Sequence, residues 1–369
     1  MNLKGFTTPT ARSPVADPKL WRPDWTMGVP RDPSLMWLDK NENTDPEMAA
    51  LAARVLGEID LTALCTYPEC APLYHKLGKH IGVSPDHLLL SHGSDGIIRS
   101  VFEAFINPGD TVIHTVPTFA MYAVYSQMYG ARVVPLIYQP SERGPSLLME
   151  EIMETIAAAH PKLVCLPNPD SPTGTVFAPE ALRRIIEAAC EAGALMLVDE
   201  AYFPFYEETA LPWIDEYPNL VIARTFAKAW GLSGLRIGYG AACPEVIKYL
   251  HKVRPMYEVN TIAVAVMERM LDLSHEVTAS VKRLNEGRDT FLTAMEKLNL
   301  RTLRGRGNFL HVAFGSHAPA IHQVLRDMVL YRLDFNEPCL KGFTRFSATT
   351  AGRFQPIIDC ITRVVRGDA

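Results

Sequence analysis

The hydrophobic and polar positions of this chain change rhythm along its length. From about residue 88, short β-rich apolar runs at 88–90, 111–115, 132–138, 163–166, 195–198, 220–223 and 236–240 alternate with longer stretches. Two of those stretches, 96–106 and 119–129, read as amphipathic helices. Strands that alternate with helices predict an α/β fold, a mostly parallel sheet covered on both faces. Ligands on such sheets bind in the loops at the strand ends, so the chemistry is expected there. Beyond Cys243 the pattern turns helical, and the periodicity over 274–298 predicts one helix long enough to cross between two lobes. Apolar runs at 310–314, 329–333 and 345–348, with helices over 318–328 and 354–366, then predict a smaller α/β lobe.

Ahead of the sheet, 46–57 and 71–80 read as helices, the second following a Tyr67-Pro68 turn. The first 37 residues carry six prolines, which favours an extended arm over a core element. The expected organisation is therefore an arm over 1–37, a large three-layer α/β/α domain over 38–270 and a small α/β domain over 271–369. Residues 38–57 are expected to pack on the smaller domain. There is no internal repeat and no low-complexity segment.

Composition narrows the function classes. With 369 residues, 48% of them hydrophobic, the chain can bury a large core. A formal charge of −5 without any basic run argues against nucleic acid and anionic membranes and points to small-molecule partners. Seven scattered cysteines argue against a disulfide framework and for a reducing cytoplasm. Neither Cys65 and Cys70 nor His87 and His92 has a second pair at zinc-site spacing, so no metal is expected. No charged start followed by an apolar stretch opens the chain, and no apolar run nears the ~20 residues of a membrane span.

Four strand-end loops carry the candidate chemistry. Gly93-Ser94-Asp95-Gly96 opens a helix after the 88–90 strand, where free N–H groups and the helix dipole favour an anion; an ordinary N-capped turn is the alternative. Pro167-Asn168-Pro169-Asp170-Ser171-Pro172 has three prolines in six residues, a stiff loop able to fix a polar side chain over a ligand. Asp199, directly after a buried strand, needs a cationic or donor partner, which a pyridinium nitrogen or a following helix N-terminus would supply. Lys228, among small and apolar neighbours, is expected to lose its proton readily and so to condense with an aldehyde. Thr225 and Arg236 flank it at a spacing suited to a phosphate dianion, although Lys228 also reads as a surface lysine and Arg236 as half of a salt bridge.

Together these loops resemble a fold-type I pyridoxal-phosphate-dependent aminotransferase, closest to the histidinol-phosphate aminotransferase group, from about Trp37 onward. The resemblance implies pyridoxal 5′-phosphate as cofactor, held as a Schiff base by Lys228, which then serves as general acid and base. It assigns Asp199 to the ring nitrogen and Tyr202 to the ring oxygen. Ser94, Asp95, Thr225 and Arg236 fall around the phosphate, and Phe119 stacks on the ring where a tyrosine is usual. Ser171 stands where the family commonly has an asparagine on the ring oxygen, with Asn168 or Asp170 as possible compensation. Tyr67 matches a tyrosine that reaches the neighbouring subunit's cofactor, which implies a homodimer. Arg345 matches the arginine that grips a substrate carboxylate, and Arg332 fits the arginine on a substrate phosphate, or else a solvated charge beside Asp334. Asn41 lies in a segment, Leu38-Asp39-Lys40-Asn41-Glu42-Asn43, that resembles the family's substrate-side motif. The expected reaction moves an amino group between an amino acid or phosphorylated amine and a 2-oxo acid such as 2-oxoglutarate. A decarboxylase, deaminase or oxidase on the same fold is the alternative, and a non-catalytic regulator is disfavoured by the acidic charge.

Overall fold

The computed structural model describes residues 10–20, 22 and 28–367. Seven strands build the central sheet: β1 Leu88–Ser91, β2 Thr111–Val116, β3 Arg132–Ile137, β4 Leu163–Pro167, β5 Leu195–Asp199, β6 Leu220–Thr225 and β7 Gly238–Ala242. Their order is β1-β7-β6-β5-β4-β2-β3. The pairs from β3 through β6 are parallel, while β7 runs antiparallel to β6 and β1. Strands β1, β4, β5, β6 and β7 are buried at every position, which is why each reads as a continuous apolar run. Their side chains divide by parity. Val164, Leu166, Met196, Val198 and Ile222 enter one core, and Leu163, Cys165, Leu197, Val221 and Ala223 the other, giving the three layers. Edge strand β3 is mostly exposed and tolerates Pro135.

Several boundaries differ from expectation. Strand β7 begins at Gly238 rather than 236, because Arg236 sits in the left-handed region at φ 53° and ends a turn there. Gly238 itself has to be glycine, since a Cβ would lie 2.5 Å from the Arg224 carbonyl oxygen and 2.7 Å from the Gly93 carbonyl carbon. Helices Met149–Ala159, Pro179–Glu191, Pro244–Val253 and Thr261–Met270 complete the layers without having been predicted as separate elements.

The smaller sheet has β8 Arg301–Leu303, β9 Phe309–Ala313 and β10 Thr344–Ser347, antiparallel in the order β10-β9-β8. The predicted strand over 329–333 shrinks to Val329–Leu330, paired with Met36–Trp37, followed by a single bridge between Arg332 and Arg345. Helix Ser274–Lys297 places Val277, Val281 and Leu284 in the larger core and Phe291, Leu292 and Met295 in the smaller one. Segment 38–57 divides rather than packing wholly on the smaller body. Leu38 joins the smaller core, whereas Met48, Leu51 and Val55, one face of helix Pro46–Gly57, join the larger core with helix Thr261–Met270. Of the expected arm, residues 1–9, 21 and 23–27 lie outside the described residues. Its described parts are tied to their own chain, with Arg12 donating to the Met128 carbonyl at 3.4 Å and Arg31 paired to Asp39 and Glu42.

Behind the strand ends lies a buried ion pair. Arg224 of β6 donates to Glu200 from Nε at 2.9 Å and from Nη2 at 2.8 Å, while its Nη1 donates to Tyr239 at 3.1 Å. Glu200 also accepts from Thr209 and from the Ala210 N–H, so the pair staples β5, β6 and β7 just below the candidate site. Removing one member leaves an uncompensated buried charge. Glu200→Ala is therefore expected to lower unfolding free energy by about 3–5 kcal/mol, measured by denaturant titration. A loss under about 1 kcal/mol would mean that water reaches Arg224.

Candidate active site

Strand pairing sets Pro167 beside Asp199 and Asp199 beside Ala223, so the loops after β4, β5 and β6 open at one level. Asp199 is buried, and its carboxylate accepts from the Tyr122 hydroxyl and the Ala201 N–H, both at 3.1 Å. Burial pushes its pKa up to about 7 against those donors. A carboxyl held this way fits a cationic ring N–H, which would return it to the ionised state.

Lys228 follows the end of β6 by three residues. Its Nζ donates to the Lys40 carbonyl at 3.0 Å and lies 5.8 Å from the centre of the Tyr202 ring. Burial first, and the Arg345 cation second, push its pKa down to about 8, with Glu42 opposing. The Tyr202 hydroxyl accepts from Asn41 Nδ2 at 2.9 Å, and the Ser171 side chain lies beside the same tyrosine. Asn41 takes φ 56°, its N–H donates to Ser347 at 2.8 Å, and its Oδ1 is buried without a partner.

The anion cup is built at helix Ser94–Phe105, whose N-cap Gly93 has φ 91° and ψ 174°. Arg236 donates to the His92 carbonyl at 3.1 Å and lies across Gly93, 3.0 Å from where a Cβ would stand. The Thr225 hydroxyl accepts from the Ala227 N–H at 3.1 Å, which leaves its proton for an anion. Asp95 turns its carboxylate away to Tyr125 at 3.1 Å, so it is the backbone of this turn that faces an anion.

From the smaller sheet, Arg345 is 8% exposed, donates to the Asp39 carbonyl at 2.9 Å and keeps its Nε buried without a partner. Arg332 is its direct neighbour across the bridge, stacks over Phe335 at 3.9 Å and reaches Glu337 at 3.7 Å. It is exposed, and it donates to the Asp334 backbone carbonyl at 3.2 Å.

Four expected residues stand apart. Asn168 is corrected: its Oδ1 accepts from the Phe177 N–H at 2.8 Å and its Nδ2 donates to the Phe177 carbonyl at 3.3 Å, so the amide is spent on the loop's own backbone. Asp170 is likewise occupied by Thr115, Thr118 and Tyr138, which leaves Ser171 as the side chain of that loop beside Tyr202. Phe119 lies at the cleft's edge, 40% exposed, with its ring edge-on to Tyr122. Tyr67 lies on the surface, 70% exposed and stacked on Tyr257 at 3.9 Å.

Sequence reasoning missed Tyr122, Ser347 and Asn308, which donates to the Asn41 carbonyl at 2.8 Å. Tyr122 follows Phe119 by three residues inside an apolar helix, and nothing in that spacing points to Asp199.

Comparison with known proteins decides the family. The family model described as aminotransferase class I and II matches residues 33–361. The chain belongs to this family. Among curated relatives of this aminotransferase, the histidinol-phosphate aminotransferase of Caldanaerobacter subterraneus subsp. tengcongensis is 31% identical over 300 residues, covering 81% of this chain and 83% of that one. The one from Roseiflexus castenholzii is 31% identical over 347 residues, covering 92% and 91%. Among solved structures, the Sinorhizobium meliloti histidinol-phosphate aminotransferase in complex with pyridoxal-5′-phosphate superposes with TM-score 0.76 at 23% identity, covering 90% and 91%. The pyridoxal 5′-phosphate in that neighbour is the cofactor that the sequence resemblance implies for this chain. Among the described residues no helix is long and apolar enough to cross a membrane.

Proposed function

We propose that this aminotransferase takes the amino group from a donor bearing an anionic group, of the histidinol-phosphate type, and passes it to a 2-oxo acid such as 2-oxoglutarate. The observation that carries this reading is the pairing of Arg332 and Arg345 directly across a bridge, with Arg345 Nε buried and unpartnered, on the sheet that faces Lys228. Like charges set side by side with an orphaned donor are stabilised by a ligand anion.

The residues fit the cofactor. Lys228 would hold its aldehyde carbon, Asp199 its ring nitrogen, and Tyr202 with Ser171 its ring oxygen. The turn at Ser94 and Asp95, with Thr225 and Arg236, would take its phosphate, and Phe119 would cover the ring. Bound there, pyridoxal phosphate supplies an electron sink for the carbon that carries the amine. Asp199 keeps the ring nitrogen protonated. Lys228, with its pKa lowered to about 8, is poised to take and return a proton at the substrate carbon near neutral pH. Arg345 orients the substrate by its anion, and Asn41, donating to the Tyr202 hydroxyl, fixes that tyrosine in place.

The same reading makes the enzyme a cytoplasmic homodimer, with Tyr67 reaching the partner's cofactor phosphate; its exposed, stacked position outside its own cleft supports this.

A donor panel tests the proposal. Purified protein loaded with pyridoxal phosphate is expected to lose its cofactor absorbance with histidinol phosphate, and to recover it on adding 2-oxoglutarate. Bleaching by neutral aromatic or basic amino acids alone would overturn the donor class. Carbon dioxide release without an oxo acid would favour decarboxylation, since the same fold also occurs in the L-threonine-O-3-phosphate decarboxylase from Porphyromonas gingivalis, with TM-score 0.74 at 20% identity.

A further inference from the structure

Unpartnered buried polar atoms gather where the smaller sheet meets the cleft: Arg345 Nε and both ring nitrogens of His311. His311 of β9 and Arg345 of β10 are direct cross-strand partners, so their side chains leave the same face of the sheet. Phe309 shares that face and meets the Tyr202 ring edge-on at 5.3 Å. The opposite face carries Leu310, Val312 and Phe346 into the smaller core. His311 is fully enclosed, packed against Phe309, Phe335 and Phe343. The Pro172 carbonyl, from the loop that also presents Ser171, lies against its ring without a hydrogen bond of normal geometry.

A buried histidine with two idle nitrogens is costly unless another state of the protein uses them. Its two neighbours define that use. A guanidinium can only donate, and a carbonyl can only accept. A group that joins them must accept with one atom and donate with another, which a neutral imidazole does and an imidazolium does not. Burial, with the Arg345 cation adding to it, pushes the His311 pKa down to about 3, so the ring keeps one N–H and one lone pair at neutral pH.

We propose that His311 is a positioning residue for Arg345: as a substrate anion draws the guanidinium off the Asp39 carbonyl, His311 accepts from Arg345 Nε and donates to the Pro172 carbonyl. The anion grip of the smaller sheet is thereby tied to the loop beside Tyr202. This rests on Arg345 being the substrate's anion grip. Leucine at position 311 would keep the volume and lose both bonds, whereas glutamine supplies an amide oxygen and an amide N–H.

The test is the affinity of protein loaded with pyridoxal phosphate for glutarate, an unreactive dicarboxylate, measured by titration calorimetry. His311→Leu is expected to weaken glutarate about tenfold, His311→Gln to restore it to within about threefold, and His311→Leu to add nothing in an Arg345→Leu background. Thermal melts confirm that each variant is folded. Wild-type affinity in His311→Leu, no restoration by glutamine in a folded variant, or full additivity with Arg345→Leu would overturn the inference. Equal binding by wild type and Arg345→Leu would instead show that Arg345 is not the grip, and would remove the premise along with the inference.

Discussion

Lys228→Ala is expected to cut amino transfer by at least about 10,000-fold, because the proposed function makes one side chain both cofactor anchor and proton carrier. Folding should be little affected, since Nζ makes a single hydrogen bond, to the Lys40 carbonyl. The wild-type lysine leaves a signature in pH. Its neutral amine is the nucleophile, and burial with the Arg345 cation lowers its pKa to about 8. The rate at which cofactor-free protein takes up pyridoxal phosphate should therefore rise through pH 8 rather than near the ordinary 10.5. Arg345→Leu removes the second largest cause and should move that midpoint upward. Stopped-flow absorbance across pH 6–10 reads both, and an unmoved midpoint would exclude electrostatic coupling between the two residues.

Asp199→Asn is expected to stabilise the cofactor-free protein while weakening cofactor binding. Burial raises the folded-state pKa of Asp199 from 3.8 to about 7. Between those values the folded state binds the extra proton, so stability falls as pH rises through the window, and above about pH 7 the full cost is present. A neutral amide escapes that cost. The gain for the cofactor-free variant at pH 8 should be on the order of 2–4 kcal/mol and should vanish near pH 4, as read by thermal melts of both proteins. Activity should fall by at least about 100-fold, because an amide cannot hold a ring nitrogen protonated. A cofactor-free variant no more stable than wild type at pH 8 would show that Asp199 is not desolvated.

The continuous apolar runs of β4, β5 and β6 were legible because these strands are buried on both faces and need no polar alternation. Asp199, Thr225 and Lys228 were legible for a related reason. A polar group at the end of such a run stands out, and its local chemistry is written within a few residues. The start of β7 was not legible, because the left-handed turn at Arg236 depends on how closely Gly238 approaches Gly93. Asn168 shows the converse error: its position in a proline-rich loop suggested a ligand contact, but its amide closes onto Phe177, nine residues on.

By itself, then, the sequence determined the fold class and the set of reactive groups, since hydrophobic periodicity and local motif chemistry act over short stretches of chain. Only the tertiary structure decided how those groups are tuned. The approach of Arg345 to Lys228, the burial that raises Asp199, and the placing of His311 opposite Arg345 join residues more than thirty positions apart. Desolvation and Coulomb forces depend on distance in space, to which sequence order gives no measure.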